Sequence, residues 1–209
     1  MTAGSEKGSA LLLVLMAASL LVSLGSALVL LAVSETAISA SFVRGAQVLG
    51  DADAALELAA VELDALPDWS PALAGLTASG LVDGIAGGTR QVGDVIVNLT
   101  AATTMLNAVG ASRPFGRNNP RWQLFVWGGL DRLNAEAARP GYVAVWIADD
   151  PSEGDDDPRR DGGSADQAGR DVVLVVAQAF GAGGARRMLE AVVIRPAGRT
   201  AIVSRREVR

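Results

Sequence analysis

The densest group of side chains that could do chemistry is an acidic run between residues 149 and 161. It holds seven carboxylates in thirteen residues, in the order Asp-Asp-Pro-Ser-Glu-Gly-Asp-Asp-Asp-Pro-Arg-Arg-Asp. Carboxylate oxygens supplied by a flexible loop are ligands that Ca²⁺ prefers. The candidate ligands in this run are Asp149, Asp150, Glu153, Asp155, Asp156 and Asp157.

Two properties of the acidic run argue against a metal site. Its spacing differs from that of an EF-hand loop, which has ligands at alternate positions, a central Gly and a Glu at the twelfth. Arg159 and Arg160 also lie within the run and partly neutralise it. We therefore interpret the run as a solvated, mobile loop that folding does not need, and we predict no metal and no cofactor. Ca²⁺ binding is the alternative.

The inventory of residue types excludes most catalytic chemistry. The chain has no His and no Cys, so Ser-His-Asp, Cys-His and zinc-hydrolase sites cannot be assembled. Its Lys and Tyr content is limited to Lys7 and Tyr142. We predict that the chain is not an enzyme. A weaker alternative is a carboxylate-based hydrolase that acts on glycans through a pair such as Asp149 and Glu153.

The sequence gives little support for a phosphate-binding or nucleic-acid-binding site. The segment Gly181-Ala-Gly-Gly-Ala-Arg-Arg is rich in Gly, but a phosphate-binding loop is followed by a helix, and here a β-like run follows. We interpret the segment as a hairpin turn. The net charge of −5 argues against a nucleic-acid partner.

The element that dominates the chain is an uncharged apolar run from Ala10 to Val33. A helix rises about 1.5 Å per residue and a bilayer core needs roughly 20 apolar residues, so the run is long enough to span. A secretory signal has a shorter apolar core, followed by a small-residue cleavage site. Here the helical pattern continues with polar residues added. The sequence therefore predicts a retained membrane helix over residues 9–33.

One face of the predicted membrane helix carries small residues. Ser19, Ser23 and Ser26 are spaced by four and three positions. Small residues at such spacing let another helix approach closely. We expect this face to pack against a neighbouring helix, a feature that a solitary anchor does not need.

The helical pattern continues beyond the membrane run from Ser34 to Leu66 without a proline. Its apolar residues recur at the three, four and seven spacing of one helix face. The predicted packing residues of this stripe are Phe42, Leu49, Leu56 and Leu63. Pro67 ends the pattern. We predict one unbroken helix from near Ser9 to near Leu66, with its second half packed on a sheet.

Five β-like runs follow a loop at 69–89 that has room for a helical turn. They cover residues 91–99, 122–127, 142–148, 171–180 and 187–195. The tail from Pro196 is predicted to be frayed or an edge strand. The fold class is therefore α+β, with a long N-terminal helix on an antiparallel sheet. We expect most of the aromatic residues Trp122, Phe125, Trp127 and Trp146 to pack against that helix.

The order of these elements resembles type IV pilins, and most closely the pilus-assembly proteins with a PilX-type N-terminal domain. Three N-terminal motifs and three C-terminal segments support the resemblance. They are Gly8-Ser9-Ala10-Leu11-Leu12-Leu13-Val14-Leu15, Glu35-Thr36, Ala52-Asp53-Ala54-Ala55-Leu56, Asn119-Pro120-Arg121-Trp122, Tyr142-Val143-Ala144-Val145-Trp146 with Asp149-Asp150-Pro151, and Gly183-Gly184-Ala185-Arg186-Arg187 with Glu190-Ala191.

The resemblance implies a minor pilin or pseudopilin-like subunit of a type IV pilus or a related secretion filament. It implies a leader over 1–8, which a prepilin peptidase removes between Gly8 and Ser9, a membrane helix over 9–33, its amphipathic continuation over 34–66 and a sheet domain over 67–209. The expected location is the bacterial inner membrane, with a single pass, a periplasmic C-terminal domain and later incorporation in a pilus. The expected partners are other pilin subunits, the pilus assembly machinery and membrane lipid.

One position departs from the pilin pattern. Major pilins carry a Glu at the fifth position after the leader, and here that position is Leu13. Its absence is similar to minor subunits at a filament tip, which have no neighbour above them. It also fits an alternative in which no cleavage occurs. The chain would then be an unprocessed single-span membrane protein with a periplasmic binding or scaffolding domain.

Overall fold

The computed structural model describes residues 5–133, 140–162 and 169–208, with the backbone alone for residues 5–8. The first four residues of the predicted leader lie outside this range. The described chain divides into two compact units, Met1–Val43 and Arg44–Arg209. Helix α1, Ser5–Asp64, contributes residues to both. The predicted cleavage point between Gly8 and Ser9 lies within α1.

The first unit is helical throughout its described residues and exposes apolar side chains on all sides. Every residue from Ser9 to Ser39 is exposed, including the large aliphatic side chains. By length and composition, α1 can cross a membrane. The hydroxyls of Ser19, Ser23 and Ser26 donate to main-chain carbonyls three or four residues earlier, at 2.9, 2.8 and 2.8 Å. These polar groups are therefore satisfied inside the helix.

The predicted unbroken helix over 34–62 is confirmed, since α1 continues to Asp64. Beyond its end, the helix has no glycine cap, and its last carbonyls would lack partners. The indole N–H of Trp69 donates to the Leu63 carbonyl at 2.8 Å. Arg195, which stacks over the Trp69 ring, donates to the carbonyls of Leu63, Leu66 and Pro67 at 3.1, 2.7 and 3.2 Å. One arginine and one tryptophan thus close the helix end.

The second unit contains a five-stranded antiparallel sheet whose strands follow chain order. The strands are β3 (Gln123–Gly129), β4 (Gly141–Asp149), β5 (Val172–Gly181), β6 (Arg186–Ile194) and β7 (Ala201–Val208). The glycine-rich turn joins β5 to β6, as predicted, and the C-terminal tail forms an edge strand. The α+β fold class is confirmed.

The shorter elements of the second unit lie between α1 and the central sheet in sequence. Helix α2 (Ser70–Leu73) is one turn. Strands β1 (Thr89–Val92) and β2 (Val95–Asn98) form a separate two-stranded sheet, and helix α3 (Leu99–Ala111) follows. Helix α4 (Leu130–Leu133) is a single turn after β3.

The main core lies between the second half of α1 and one face of the five-stranded sheet. Ala52, Leu56, Ala59 and Leu63 are fully buried on the helix side. On the sheet side, the inward positions are alternate residues of the strands, among them Val143, Val145, Ile147, Val173, Val175, Ala177, Leu189 and Val193. Leu49 is partly buried at the margin of this core. The predicted stripe therefore packs as expected from Leu49 onward.

Phe42 does not belong to the packed stripe, and that part of the prediction is wrong. Its side chain is 77% exposed, and it lies in the first unit, before the compact unit that begins at Arg44. Burial on the stripe begins one turn later, at Gly45 and Val48. The stripe's periodicity gave Phe42 the correct face, but periodicity carries no information about how far along a helix the partner surface extends.

The other face of the sheet carries a second core that the sequence did not reveal. This core contains Val97 of β2 and Leu99 of α3. The sheet residues that pack with them are Trp127, Tyr142, Ala144, Trp146 and Val176. Most of the aromatic residues expected against the long helix lie on this opposite face, and Phe125 alone of the four joins the main core. A bulge between Leu124 and Val126 shifts the alternation, so Trp122 and Trp127 contact the same cluster.

The predicted strand over 91–99 is also wrong, because the segment forms a hairpin and then a helix. Gly93, with φ at 59°, and Asp94 make the two-residue turn between β1 and β2. The Asn98 side chain then accepts a hydrogen bond from the Ala101 N–H at 2.8 Å and caps α3. A Gly-Asp turn and an Asn cap were both present in the sequence as signals.

Candidate functional site

The acidic run lies between the end of β4 and the start of β5, and three of its carboxylates come together. Each of Asp149, Glu153 and Asp161 places a carboxylate oxygen within 4.8 Å of the other two. Only 3%, 0% and 6% of these residues, respectively, is exposed. We call these three residues the acidic triad. Their burial contradicts the interpretation of the whole run as a solvated loop.

The side chains of β4 alternate between the two faces of the sheet, and this alternation places Asp149 in the triad. Asp149 is the last residue of the strand and pairs with Val173 across the ladder. Val143, Val145 and Ile147, at the same parity, all face the main core. Asp149 therefore lies at the end of a row of apolar side chains that face the main core. Its Oδ1 has no hydrogen-bond partner among the described residues.

Glu153 is held from several sides by close backbone contacts. Its N–H donates to the Asp150 carbonyl at 3.1 Å, and its carbonyl accepts from the Asn118 side chain. At Gly162, where φ is 51°, an added Cβ would lie 2.0 Å from Glu153 Oε1. At Gly169 an added Cβ would lie 2.8 Å from the Glu153 N. The two glycines thus allow their backbone to come close to Glu153.

Asp161 connects the triad to neighbouring segments. Its Oδ1 accepts a hydrogen bond from the Asp171 N–H at 2.7 Å. Its own N–H donates to the Ser70 hydroxyl at the start of α2, at 3.2 Å. Asp171 in turn forms an ion pair with Arg195 at 3.7 Å. The triad is therefore part of the structure that surrounds the end of α1.

The electrostatics of the triad favour protonation or a counter-charge. Burial, reinforced by the charge of Glu153, raises the pKa of Asp149. Burial and the nearby Asp155 also raise the pKa of Glu153. For Asp161, burial raises the pKa to about 6, although the Asp171 N–H opposes the shift. Three carboxylates that repel one another in a dry site cannot all ionise without compensation.

The remaining predicted ligands lie outside the triad. Asp150, Asp155 and Asp157 accept hydrogen bonds from N–H groups two residues later, at 3.2, 2.8 and 3.2 Å. Asp156 is exposed, with φ at 61°. Sequence reasoning counted Asp161 in the run but omitted it from the candidate ligands. Its signal was weak, since only the two glycines that follow it suggested a tight local turn.

The described surface also contains two clefts away from the triad. One is lined by residues of α3 and the segment before β3, including Asn107, Asn119 and Arg121. The other lies beside Asp83 and Arg90. In the second, Asp83 accepts from Tyr142 at 2.8 Å and from Arg90 at 3.0 Å, so the polar groups already satisfy one another. Burial and the Asp83 hydrogen bond raise the pKa of Tyr142.

Comparison of the chain with protein-family models, with curated proteins and with solved structures finds no match.

Proposed function

We propose that the chain is a minor pilin or pseudopilin-like subunit of a type IV pilus or a related secretion filament. In this proposal the apolar half of α1 anchors the subunit in the bacterial inner membrane and later lies among the helices of other subunits. The sheet unit is periplasmic and the chain has no catalytic role. Its partners are other pilin subunits, assembly machinery, lipid and a prepilin peptidase.

The observation that carries the proposal is the exposed apolar surface of the first half of α1, over residues 9–39. The 18-residue window that is apolar enough to span a membrane is 0% buried. Exposed apolar surface of this extent is not stable in water, so it needs lipid or other helices around it. Because its serine hydroxyls bond to the helix's own carbonyls, neither environment would leave them unsatisfied.

The helix face that carries the small residues, here called the small face, favours a subunit that assembles with other helices over a solitary anchor. Ser19, Ser23 and Ser26 have no bulky side chain, and their hydroxyls point back to the backbone. Two helices that meet on such a face can approach closely, which increases their van der Waals contact. The resemblance to pilus-assembly proteins points to the same kind of helix–helix contact.

Processing of the N-terminus tests the proposal first. The full chain is expressed in a bacterial host with and without a prepilin peptidase and recovered from the inner membrane. N-terminal sequencing and intact mass are then measured. We expect Ser9 as the first residue only where the peptidase is present, and an intact leader in Gly8→Val. A chain that still begins at Met1 or Thr2 beside an active peptidase contradicts cleavage and supports the unprocessed single-span protein.

Helix contacts test the proposal independently of cleavage. The chain has no Cys, so a single introduced Cys reports one position. Ser23→Cys lies on the small face, and the matched Leu28→Cys lies on the opposite face of the helix. The partner subunits carry one introduced Cys in their own membrane helix, so that oxidation can form a disulfide between the two thiols. We expect oxidation in membranes to cross-link the Ser23→Cys chain to them, and the Leu28→Cys chain far less. Equal cross-linking of both variants, or none, would argue for a solitary anchor.

A further inference from the structure

The acidic triad contains buried oxygens that the described protein groups do not satisfy. When both groups are ionised, Asp149 Oδ1 and both carboxylate oxygens of Glu153 have no hydrogen-bond donor among these groups. A hydrogen bond between Asp149 and Glu153 forms only when one of the two carboxyls is protonated. Leaving a buried carboxylate without a partner costs several kcal/mol in a low-dielectric site. Glu153 is fully buried and is directed toward two other carboxylates rather than toward a cation of the protein. Among the described residues, the arginines nearest the triad pair with Asp171 and not with Glu153.

We propose that Asp149, Glu153 and Asp161 bind one Ca²⁺ ion that fixes residues 150–162 against the end of β4. This site goes beyond the proposed filament role and does not depend on it. It also replaces the expectation that the chain binds no metal.

The chemistry and spacing of the triad select the cation. All three ligands are hard carboxylate oxygens, and the chain has no His or Cys to favour a transition metal. Ca²⁺ binds oxygen at about 2.3–2.6 Å, so two of its ligand oxygens lie at most about 5 Å apart. The triad's oxygens, within 4.8 Å of one another, fit that limit. This limit does not exclude Mg²⁺, but Mg²⁺ keeps several waters and is usually bound by one or two carboxylates, so a set of three carboxylates favours Ca²⁺.

The local backbone is arranged to bring these oxygens together. Gly162 and Gly169 adopt positive φ values of 51° and 91°, and a Cβ at either position would collide with Glu153. Asn118 supports the Glu153 main chain, and its own Oδ1 is a further buried oxygen without a partner among the described groups. Because Asp161 also contacts Ser70, the cation would connect β4, the acidic run and the first turn of α2.

The positions of the nearby arginines explain why none of them supplies the positive charge that the triad needs. Arg195 is committed to the end of α1 and to Asp171. Arg159 and Arg160 are exposed. A divalent ion is therefore the simplest counter-charge for three carboxylates of which two have unsatisfied oxygens.

The test uses the full chain in detergent micelles, stripped with EGTA and returned to Ca²⁺, Mg²⁺ or EGTA alone. Calorimetric titration measures Ca²⁺ binding, and circular dichroism measures the melting temperature. We expect one Ca²⁺ per chain and a higher melting temperature in Ca²⁺ than in either Mg²⁺ or EGTA. Absence of stoichiometric binding, or equal melting in Ca²⁺ and EGTA, overturns the proposal.

Two variants with the same loss of charge locate the ion. Glu153→Gln removes a triad carboxylate, whereas Asp156→Asn removes an exposed one from the same run. We expect Glu153→Gln to lose saturable Ca²⁺ binding and the Ca²⁺-dependent rise in melting temperature, and Asp156→Asn to keep both. Should Glu153→Gln fail to fold, Asp161→Asn takes its place with the same expectation. Equal weakening by Asp156→Asn would show diffuse attraction by the run and overturn the site.

Discussion

Leu56 and Glu153 are both fully buried, yet opposite physical forces act on them. Leu56 lies between α1 and the sheet, where removal of apolar surface from water stabilises the fold by about 25 cal/mol per Å². Glu153 lies in the acidic triad, where burial of its unpartnered oxygens costs free energy. The comparison shows that burial of the main core stabilises the fold by itself, whereas burial of the triad needs a proton or a cation.

The largest change in stability should come from a substitution in the main core. Leu56→Ala leaves a cavity between α1 and the sheet, and we expect it to lower the free energy of unfolding by about 2–5 kcal/mol. The matched control is Val61→Ala on the exposed side of the same helix, 66% exposed, which should change stability by about 0.5 kcal/mol or less. Urea unfolding in detergent measures both. Similar values for the two variants would contradict the packed stripe.

An apolar substitution in the acidic triad should change stability in the opposite direction. Glu153→Met replaces a buried, unpartnered carboxylate with an apolar side chain of similar length. In EGTA we expect the variant to be more stable than the wild-type chain by about 1–3 kcal/mol, since the cost of burying the carboxylate disappears. In Ca²⁺ the order should reverse or the gap should close. Destabilisation by Glu153→Met in EGTA would mean that the carboxylate already has a favourable partner.

The exposed ion pairs between Arg205 and two carboxylates of α1 should contribute much less to stability. Arg205 on β7 contacts Asp53 and Glu57 on α1, the latter at 3.2 Å, and all three side chains are 40–55% exposed. Solvent screens such pairs, so Arg205→Ala should cost only about 0.2–1 kcal/mol. High salt should remove most of that difference. A loss comparable to that of Leu56→Ala would show that these contacts belong to the core and not to the surface.

The smallest effect concerns an exposed carboxylate with a single good hydrogen bond. The Thr200 N–H donates to Asp64 at 2.6 Å and lowers the pKa of that carboxyl below its ordinary value. Because the folded pKa is depressed, the stabilisation is present above the unfolded pKa and is lost as the pH falls through the folded pKa. Asp64→Asn should therefore be slightly less stable than wild type near neutral pH. Chemical unfolding should show no difference in strong acid.

The sequence predicted the large elements because their signals are local. An uncharged run from Ala10 to Val33 and a proline-free continuation were sufficient to predict α1, and short β-like runs separated by turn residues were sufficient to predict β3 to β6. The second core was missed because it depends on contacts across the sheet. Trp146, for example, donates to the Thr103 hydroxyl of α3 at 2.8 Å, and no periodicity connects those two residues.

The same distinction holds for the candidate site. The sequence by itself determined that a dense group of carboxylates follows a strand-like run. It did not determine the face on which Asp149 lies, because β4 is buried on both faces. Only the tertiary structure decided that Glu153 and Asp161 join Asp149 while Asp156 remains in solvent. The reason is that burial of a loop residue is set by the segments that fold over it, here through Gly162 and Gly169, and the charge density of a run contains no information about those contacts.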